Sequence, residues 1–171
     1  MILLKTIKDE DVLPNCVSEK DIAFRKREAA RAVVFDSKGK VGLLYVSKYN
    51  YHKLPGGGVE ENENIQKALE REMMEEIGCK TEVKEEVGEI IEYRNQHKLM
   101  QTNYIYLAQV KGDKGKPSFT DEEIADGFEV KWLTLPEAIN ALENDVTNDY
   151  QGGFVKIRDL TALYAVNKKE Y

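Results

Sequence analysis

The sequence predicts an α+β or α/β domain, and three observations predict it. Strand-like runs both precede and follow one amphipathic helix at about 65–77, and a second helical pattern comes late, at about 155–166. The length of 171 residues suits one domain with a sizeable core, read as 1–171: an N-terminal strand and loop over 1–26, then a core at about 27–167.

The elements follow in order. Residues 2–7 alternate weakly and form a short strand. Residues 8–24 are acidic and irregular, with Pro14, and form a loop or an edge hairpin. Residues 27–35 (REAARAVVF) and 41–47 (VGLLYVS) are strands around the turn residues Asp36-Ser37-Lys38-Gly39, which predicts a β-hairpin. Residues 49–54 lead into the turn Pro55-Gly56-Gly57-Gly58. Asn64 is placed to cap the 65–77 helix, and Gly78 to end it in the left-handed conformation. Residues 80–93 form a long strand interrupted at Gly88, and 99–110 its antiparallel partner. Residues 111–117 are a basic loop and 118–127 an acidic, irregular one. A strand over 129–133 carries Trp132. Pro136 opens a helix to about Leu142, and the last helix covers about 155–166.

Composition narrows the function classes. Apolar residues make up 42% and charged residues 33%, as in ordinary globular proteins. A net charge of −6 excludes nucleic-acid binding driven by a basic surface, but not a nucleotide substrate whose charge a metal neutralises. Cys16 and Cys79 fit neither a disulfide framework nor a metal-ligand spacing, and they suit a reducing cytoplasm. The apolar run Ile2-Leu3-Leu4 is too short for a signal peptide, and no stretch is long enough to span a membrane.

The 65–77 helix carries the chemistry. Its apolar residues Ile65, Leu69, Met73 and Ile77 fall in one i, i+4 row. Glu72, Glu75 and Glu76 sit at i, i+3, i+4 and converge on one patch beside that row. Nothing in the helix offsets their repulsion except Arg71. A run of Glu on a helix is ordinarily a solvated face. Clustered carboxylates beside a Gly-rich turn are instead the hard oxygen donors that Mg²⁺ prefers.

The full spacing reads Gly57, five residues, Glu63, seven residues, then Arg71-Glu72-Met73-Met74-Glu75-Glu76-Ile77-Gly78-Cys79. It resembles the Nudix box, G-x5-E-x7-R-E-U-x-E-E-x-G-U, where U is bulky and apolar. Every fixed position matches; a chance match is on the order of one in a million at ordinary residue usage. Cys79 departs from the usual Ile, Leu or Val, and a buried thiol behaves as a small hydrophobe. The flanking order of elements and the stretch 132–138 (WLTLPEA) extend the resemblance over about 28–166.

The resemblance implies an α/β/α sandwich, a mixed sheet between helices with a loop-helix-loop catalytic motif. It implies a Mg²⁺-dependent pyrophosphohydrolase, with Mn²⁺ as the alternative metal, that cleaves a nucleoside diphosphate linked to another moiety. The implied metal ligands are Glu72, Glu76 and Glu75, with a carbonyl of Gly56 or Gly57. Glu63, Arg71 and Gly78 are structural, with Arg71 holding the glutamates. The base is Glu75 or a carboxylate of the acidic loop, Glu122 or Glu123. Tyr51, His52 and Arg27 are the candidate substrate contacts; Tyr49, Arg25, Lys26 and Lys53 lie nearby.

A MutT-like activity on nucleoside triphosphates or oxidised purine nucleotides is the favoured substrate reading, because signatures of NADH- and coenzyme A-cleaving members are absent. Cleavage of ADP-ribose or a nucleotide sugar is the alternative. Two readings of other classes are an isopentenyl diphosphate isomerase, which needs a reactive Cys, and a non-catalytic nucleotide sensor, which commonly loses box glutamates. The implied partner is a small-molecule nucleotide, with no nucleic acid and no membrane, on a cytoplasmic monomer or homodimer.

Overall fold

Residues 29–34, Ala-Ala-Arg-Ala-Val-Val, are all buried, which a strand permits only when both faces of its sheet are covered. A computed structural model, which describes residues 1–13, 21–147 and 149–168, shows both covers. The elements are β1 (Leu3–Lys8), α1 (Asp9–Val12), β2 (Arg25–Phe35), β3 (Val41–Val46), β4 (Tyr51–Lys53), β5 (Gly56–Gly58) and α2 (Ile65–Ile77). They continue with β6 (Thr81–Arg94), β7 (Leu99–Val110), α3 (Asp121–Ala125), β8 (Phe128–Leu133), α4 (Leu135–Asn144) and α5 (Tyr150–Asn167).

Alternation along β2 divides the core in two. Ala30, Ala32 and Val34 pack against Leu69, Met73 and Ile77 of α2. Val33 faces the other way and joins Leu142 of α4 and Phe154 and Leu163 of α5. Each large apolar side chain so buried stabilises the fold by about 1.5–3 kcal/mol relative to exposure. The product is a mixed sheet between α2 on one side and α4 with α5 on the other, the expected α+β sandwich.

The sheet runs β1-β6-β7-β2-β3-β4, with β5 added to β2 and β8 to β3. β1 with β6 and β2 with β7 are parallel, and the remaining pairs are antiparallel. The long β6–β7 pair shifts register between Glu86 and Gly88, where the interruption is expected. β1 completes its own chain's sheet on β6.

Three expectations need correction. The turn at 36–39 forms, with the Asp36 carboxylate accepting from the Lys38 and Lys40 amides, yet β2 and β3 pair only at Phe35 and Val41. Their backbone groups are satisfied elsewhere: β2 by β7 along its whole length, β3 by β8 and β4. Divergence of β2 from β3 and β4 leaves a cleft between Arg31 and Lys53. Second, the acidic stretch at 118–127 holds the short helix α3, nucleated by a Thr120–Glu123 capping box. Third, α5 starts at Tyr150 rather than near 155, with Asp149 as its cap. Gly153 lets α1 approach, since a Cβ there would lie 2.3 Å from Val12 Cγ1.

Candidate active site

Helix α2 is fixed at both ends as its sequence dictates. The Asn64 side chain accepts from the Lys67 amide, and Gly78 takes φ of 65°. With the apolar row buried, Glu72 and Glu76 turn toward the glycine strand β5. Glu76 is 2% exposed and Glu72 9%. Glu76 accepts from the Gly56 amide at 2.5 Å and from Lys53 Nζ at 2.7 Å. A Cβ on Gly57 would lie 2.2 Å from Glu72 Oε1, so only glycine leaves this carboxylate its place. Gly57→Ala is therefore expected to displace Glu72 and weaken divalent-metal binding at least tenfold while α2 persists, read by calorimetric metal titration and circular dichroism.

Arg71 organises the acidic cluster. Its Nε and Nη2 donate to the Glu63 carboxylate at 3.0 Å each, and Nη2 also to the Gly58 carbonyl. Nη1 donates to Glu72 at 2.8 Å and Glu75 at 3.0 Å. One planar guanidinium thus ties the loop, β5 and the helix together. The Arg71 hydrogen bond holds the Glu63 carboxyl below its usual range, and Glu63 in turn raises the Arg71 guanidinium. Burial, followed by repulsion from Glu76, pushes the Glu72 carboxyl up despite Arg71. A cation beside Glu72 and Glu76 would relieve both costs.

The donor set fits a hard divalent ion at this place. Two buried carboxylates converge on a turn that cannot carry side chains, and Lys53 already supplies one positive charge there. Among the described residues, no three acidic, histidine or cysteine side chains form a closed metal cage. Glu75 is turned to Arg71 and is half exposed. The Gly56 carbonyl accepts from Arg31 Nη1 at 2.6 Å, which leaves Gly57 as the freer backbone candidate.

A cavity of about 310 Å³ opens beside this pair. Tyr51 and Lys53 line it from β4 and Arg27 and Arg31 from β2; Glu122 and Asp126 stand at its rim. Tyr51 and Arg27 thus both line the cavity. His52 does not. Successive strand residues point oppositely, and His52 binds Asp145 on the far side, through its amide at 2.6 Å and Nδ1 at 2.9 Å. Glu123 is likewise withdrawn, because its carboxylate closes the capping box on the Thr120 amide and hydroxyl. Glu122 remains the loop carboxylate that reaches the cavity.

Sequence reasoning misses the cavity floor. Glu92 is fully buried and accepts from Arg94 at 2.6 Å and Arg158 at 3.4 Å. Asp159, also buried, accepts from Arg158 at 2.6 Å and from the Leu54 amide at 2.9 Å. Arg31 donates to Asn103 at 3.1 Å, and Gln101 donates to the same oxygen at 2.9 Å. The available signal is a charge inside an apolar run, as in Arg31 of β2 and Arg158-Asp159 of α5. Cys79 is buried against α2, its thiol donating to the Ile77 carbonyl, so it is closed to isomerase chemistry. Cys16 lies outside the described residues.

Known proteins resemble this chain in sequence and in fold. The NUDIX domain model matches residues 25–152. Nudix hydrolase 13, mitochondrial, of Arabidopsis thaliana is 28% identical over 130 residues, 67% of this chain and 59% of that protein. The chain thus spans about three-fifths of that relative's length. A MutT protein from Methanosarcina mazei Go1 superposes with a TM-score of 0.58 at 16% identity, over 88% of this chain and 100% of that one. An ADP-ribose pyrophosphatase from Streptococcus suis 89-1591 gives 0.54 at 18% identity, over 85% and 94%. These two structures share the fold. With a family model covering most of its length and a complete box whose carboxylates meet at a glycine turn, the chain belongs to the Nudix family.

Proposed function

We propose that the protein is a divalent-metal-dependent pyrophosphohydrolase, with Mg²⁺ as its metal, acting on a nucleoside diphosphate linked to another moiety. One observation carries this reading: the buried pair Glu72 and Glu76 converges on the Gly56–Gly58 turn at the edge of a cavity lined by basic side chains. The metal, when bound, neutralises phosphate charge and orients a water for attack on phosphorus. The chain's own residues do the rest. Glu72, Glu76 and a Gly57 carbonyl would hold the ion, Arg71 fixes the glutamates in register, and Arg27 and Lys53 meet phosphate oxygens. Tyr51, whose phenol burial pushes up to about 12, stays neutral and offers a hydroxyl and a ring to the substrate.

Glu122 is the proposed base. It projects from α3 at the cavity rim, off the helix face that Glu72 and Glu76 occupy, where it can take the proton of an attacking water. Glu122→Gln is expected to lower kcat about a hundredfold to ten-thousandfold with metal affinity unchanged. Glu123→Gln should lose only cap stability. Normal kcat in Glu122→Gln moves the role to Glu75.

The function itself is tested by offering nucleoside triphosphates, oxidised purine triphosphates, ADP-ribose, NADH and dinucleoside polyphosphates with Mg²⁺ and resolving the products. Metal-dependent release of a nucleoside monophosphate or of phosphate supports the reading. Turnover of none of them, with the protein folded, overturns it and favours a nucleotide sensor. The MutT-like preference for triphosphates and the cytoplasmic, monomeric or homodimeric setting stand as further parts of this proposal. Among the described residues no helix is long and apolar enough to cross a membrane.

A further inference from the structure

Strand β4 is only three residues long and ends the sheet, pairing with β3 alone among the described strands. It nevertheless carries two side chains that line the cavity, Tyr51 and Lys53. Alternate amides of an edge strand point away from its partner and need other acceptors. Here those amides belong to His52 and Leu54. Both find carboxylates from the helical layer of α4 and α5: Asp145 at 2.6 Å and Asp159 at 2.9 Å. The two side chains take the place of a neighbouring strand.

Asp159 also serves Arg158 in the buried network of the cavity floor. Asp145 has no such second duty. It is the C-cap of α4 and is 8% exposed. A carboxylate at that end meets the negative pole of the helix dipole, which is unfavourable. Its charge therefore serves β4 rather than α4. Oδ2 accepts from the His52 amide and Oδ1 from His52 Nδ1 at 2.9 Å. A carboxylate only accepts, so Nδ1 carries the ring proton. One residue of β4 is thus gripped by backbone and ring together. Asp145 is itself held, its amide donating to the Ala141 carbonyl at 3.1 Å and its carbonyl accepting from Lys156 Nζ of α5 at 2.7 Å.

A strand pinned at His52 fixes the neighbours that point to its other face. One of these is Lys53, whose ammonium sits on Glu76 Oε1 at 2.7 Å while the Gly56 amide holds Oε2. Lys53 therefore occupies an oxygen that a cation at Glu76 would use. A small slide of β4 along β3 would take the ammonium out of hydrogen-bonding range of that carboxylate.

We infer that Asp145, acting through His52, is a positioning residue: it sets β4 so that Lys53 stays on Glu76 and Tyr51 faces the cavity. A carboxylate that does not line the cavity thereby tunes both metal affinity and substrate binding. The substrate part rests on the pyrophosphohydrolase reading; the placement of Lys53 does not.

The test compares the wild type with Asp145→Ala and His52→Ala, with Glu143→Ala as the control. Glu143 lies in the same turn of α4 but accepts from the Tyr164 hydroxyl. In EDTA-treated protein with ¹³C-methylated lysines, the Lys53 resonance, assigned with Lys53→Arg, should shift in Asp145→Ala and stay in place in Glu143→Ala. With the ammonium off Glu76, Mn²⁺ should bind about threefold or more tighter, the scale of removing a partly screened competing charge. With Mg²⁺, kcat/KM for the best nucleotide substrate should fall about tenfold or more, chiefly through KM, the scale of one charge-assisted hydrogen bond. His52→Ala keeps the amide bond and should move each readout in the same direction by less; if Asp145→Ala does not fold, this variant decides the question. An unmoved Lys53 resonance with wild-type Mn²⁺ affinity in the deciding variant overturns the inference. An equal response in Glu143→Ala also overturns it, because general loosening of α4 would then suffice. A Lys53 resonance displaced only in the Asp145 and His52 variants, with no turnover in any protein, supports the positioning role while removing the hydrolase reading.

Discussion

Glu76→Gln is expected to lower Mg²⁺-dependent turnover by about two to three orders of magnitude, the usual scale for losing one well-placed electrostatic contact in a reacting site. Gln is a good helix former, so α2 should persist. The Oε of Gln can still accept from the Gly56 amide. What is lost is the charge that binds a cation beside Glu72. The sign of the stability change distinguishes the structure from the sequence. Repulsion among Glu72, Glu75 and Glu76 alone would make neutralisation stabilising. In the fold Glu76 is paired with Lys53 at 2.7 Å, both largely buried, and Gln would leave that ammonium without its partner. The metal-free variant should therefore be less stable than wild type by about 1–3 kcal/mol. Thermal unfolding in EDTA checks this, and a higher melting temperature in the variant would show that Lys53 contributes nothing to offset the cluster.

Arg71→Ala should lower stability and activity together. The guanidinium makes hydrogen bonds to Glu63, Glu72, Glu75 and the Gly58 carbonyl. Removing it leaves a cluster of carboxylates with one less counter-charge. Because Arg71 is about one-quarter exposed, the cost is that of a partly screened network. We expect about 2–3 kcal/mol, or roughly 4–12 °C in melting temperature for a domain of this size. The effect should depend on pH with a defined sign. The folded-state pKa of Glu63 is depressed by Arg71, so its contribution is present above the unfolded value of about 4.3 and is lost as pH falls through the folded value. The stability gap between wild type and Arg71→Ala should accordingly narrow below about pH 4. A gap constant from neutral pH into the acid range, or a fully stable variant with only substrate affinity reduced, would make Arg71 a substrate contact instead.

Local elements were legible in the sequence and long-range ones were not. Helix α2 declares itself because the Asn64 cap, the apolar row and the Gly78 stop all act within one segment. The box glutamates and Arg71 follow from that helix, since spacing alone puts them on one face. Strand partners do not follow in the same way. Turn chemistry at Asp36 predicts a hairpin, and the turn forms, but β2 pairs along its length with β7 and β3 with β8. The cavity floor is hidden for the same reason. Arg31 and Asn103 are 72 positions apart, and Arg158 and Glu92 are 66 apart, and each looks like an isolated charge until the sheet and α5 close on it. His52 was the misleading case. It neighbours Tyr51 and Lys53 in sequence, but the pleat sends it to the opposite face, toward Asp145. Glu122 and Glu123 are equivalent in composition, and only the Thr120 capping box separates them, committing Glu123 and leaving Glu122 at the rim.

The most direct measurement is Mn²⁺ binding followed by electron paramagnetic resonance in the absence of any substrate, with Mg²⁺ as competitor. Buried carboxylates of Glu72 and Glu76 at the glycine turn predict a saturable site from which Mg²⁺ displaces Mn²⁺, weakened at least tenfold in both Glu72→Gln and Glu76→Gln. Wild-type affinity in both folded variants, or no saturable binding in the wild type, would contradict the assignment of this pair as the metal site.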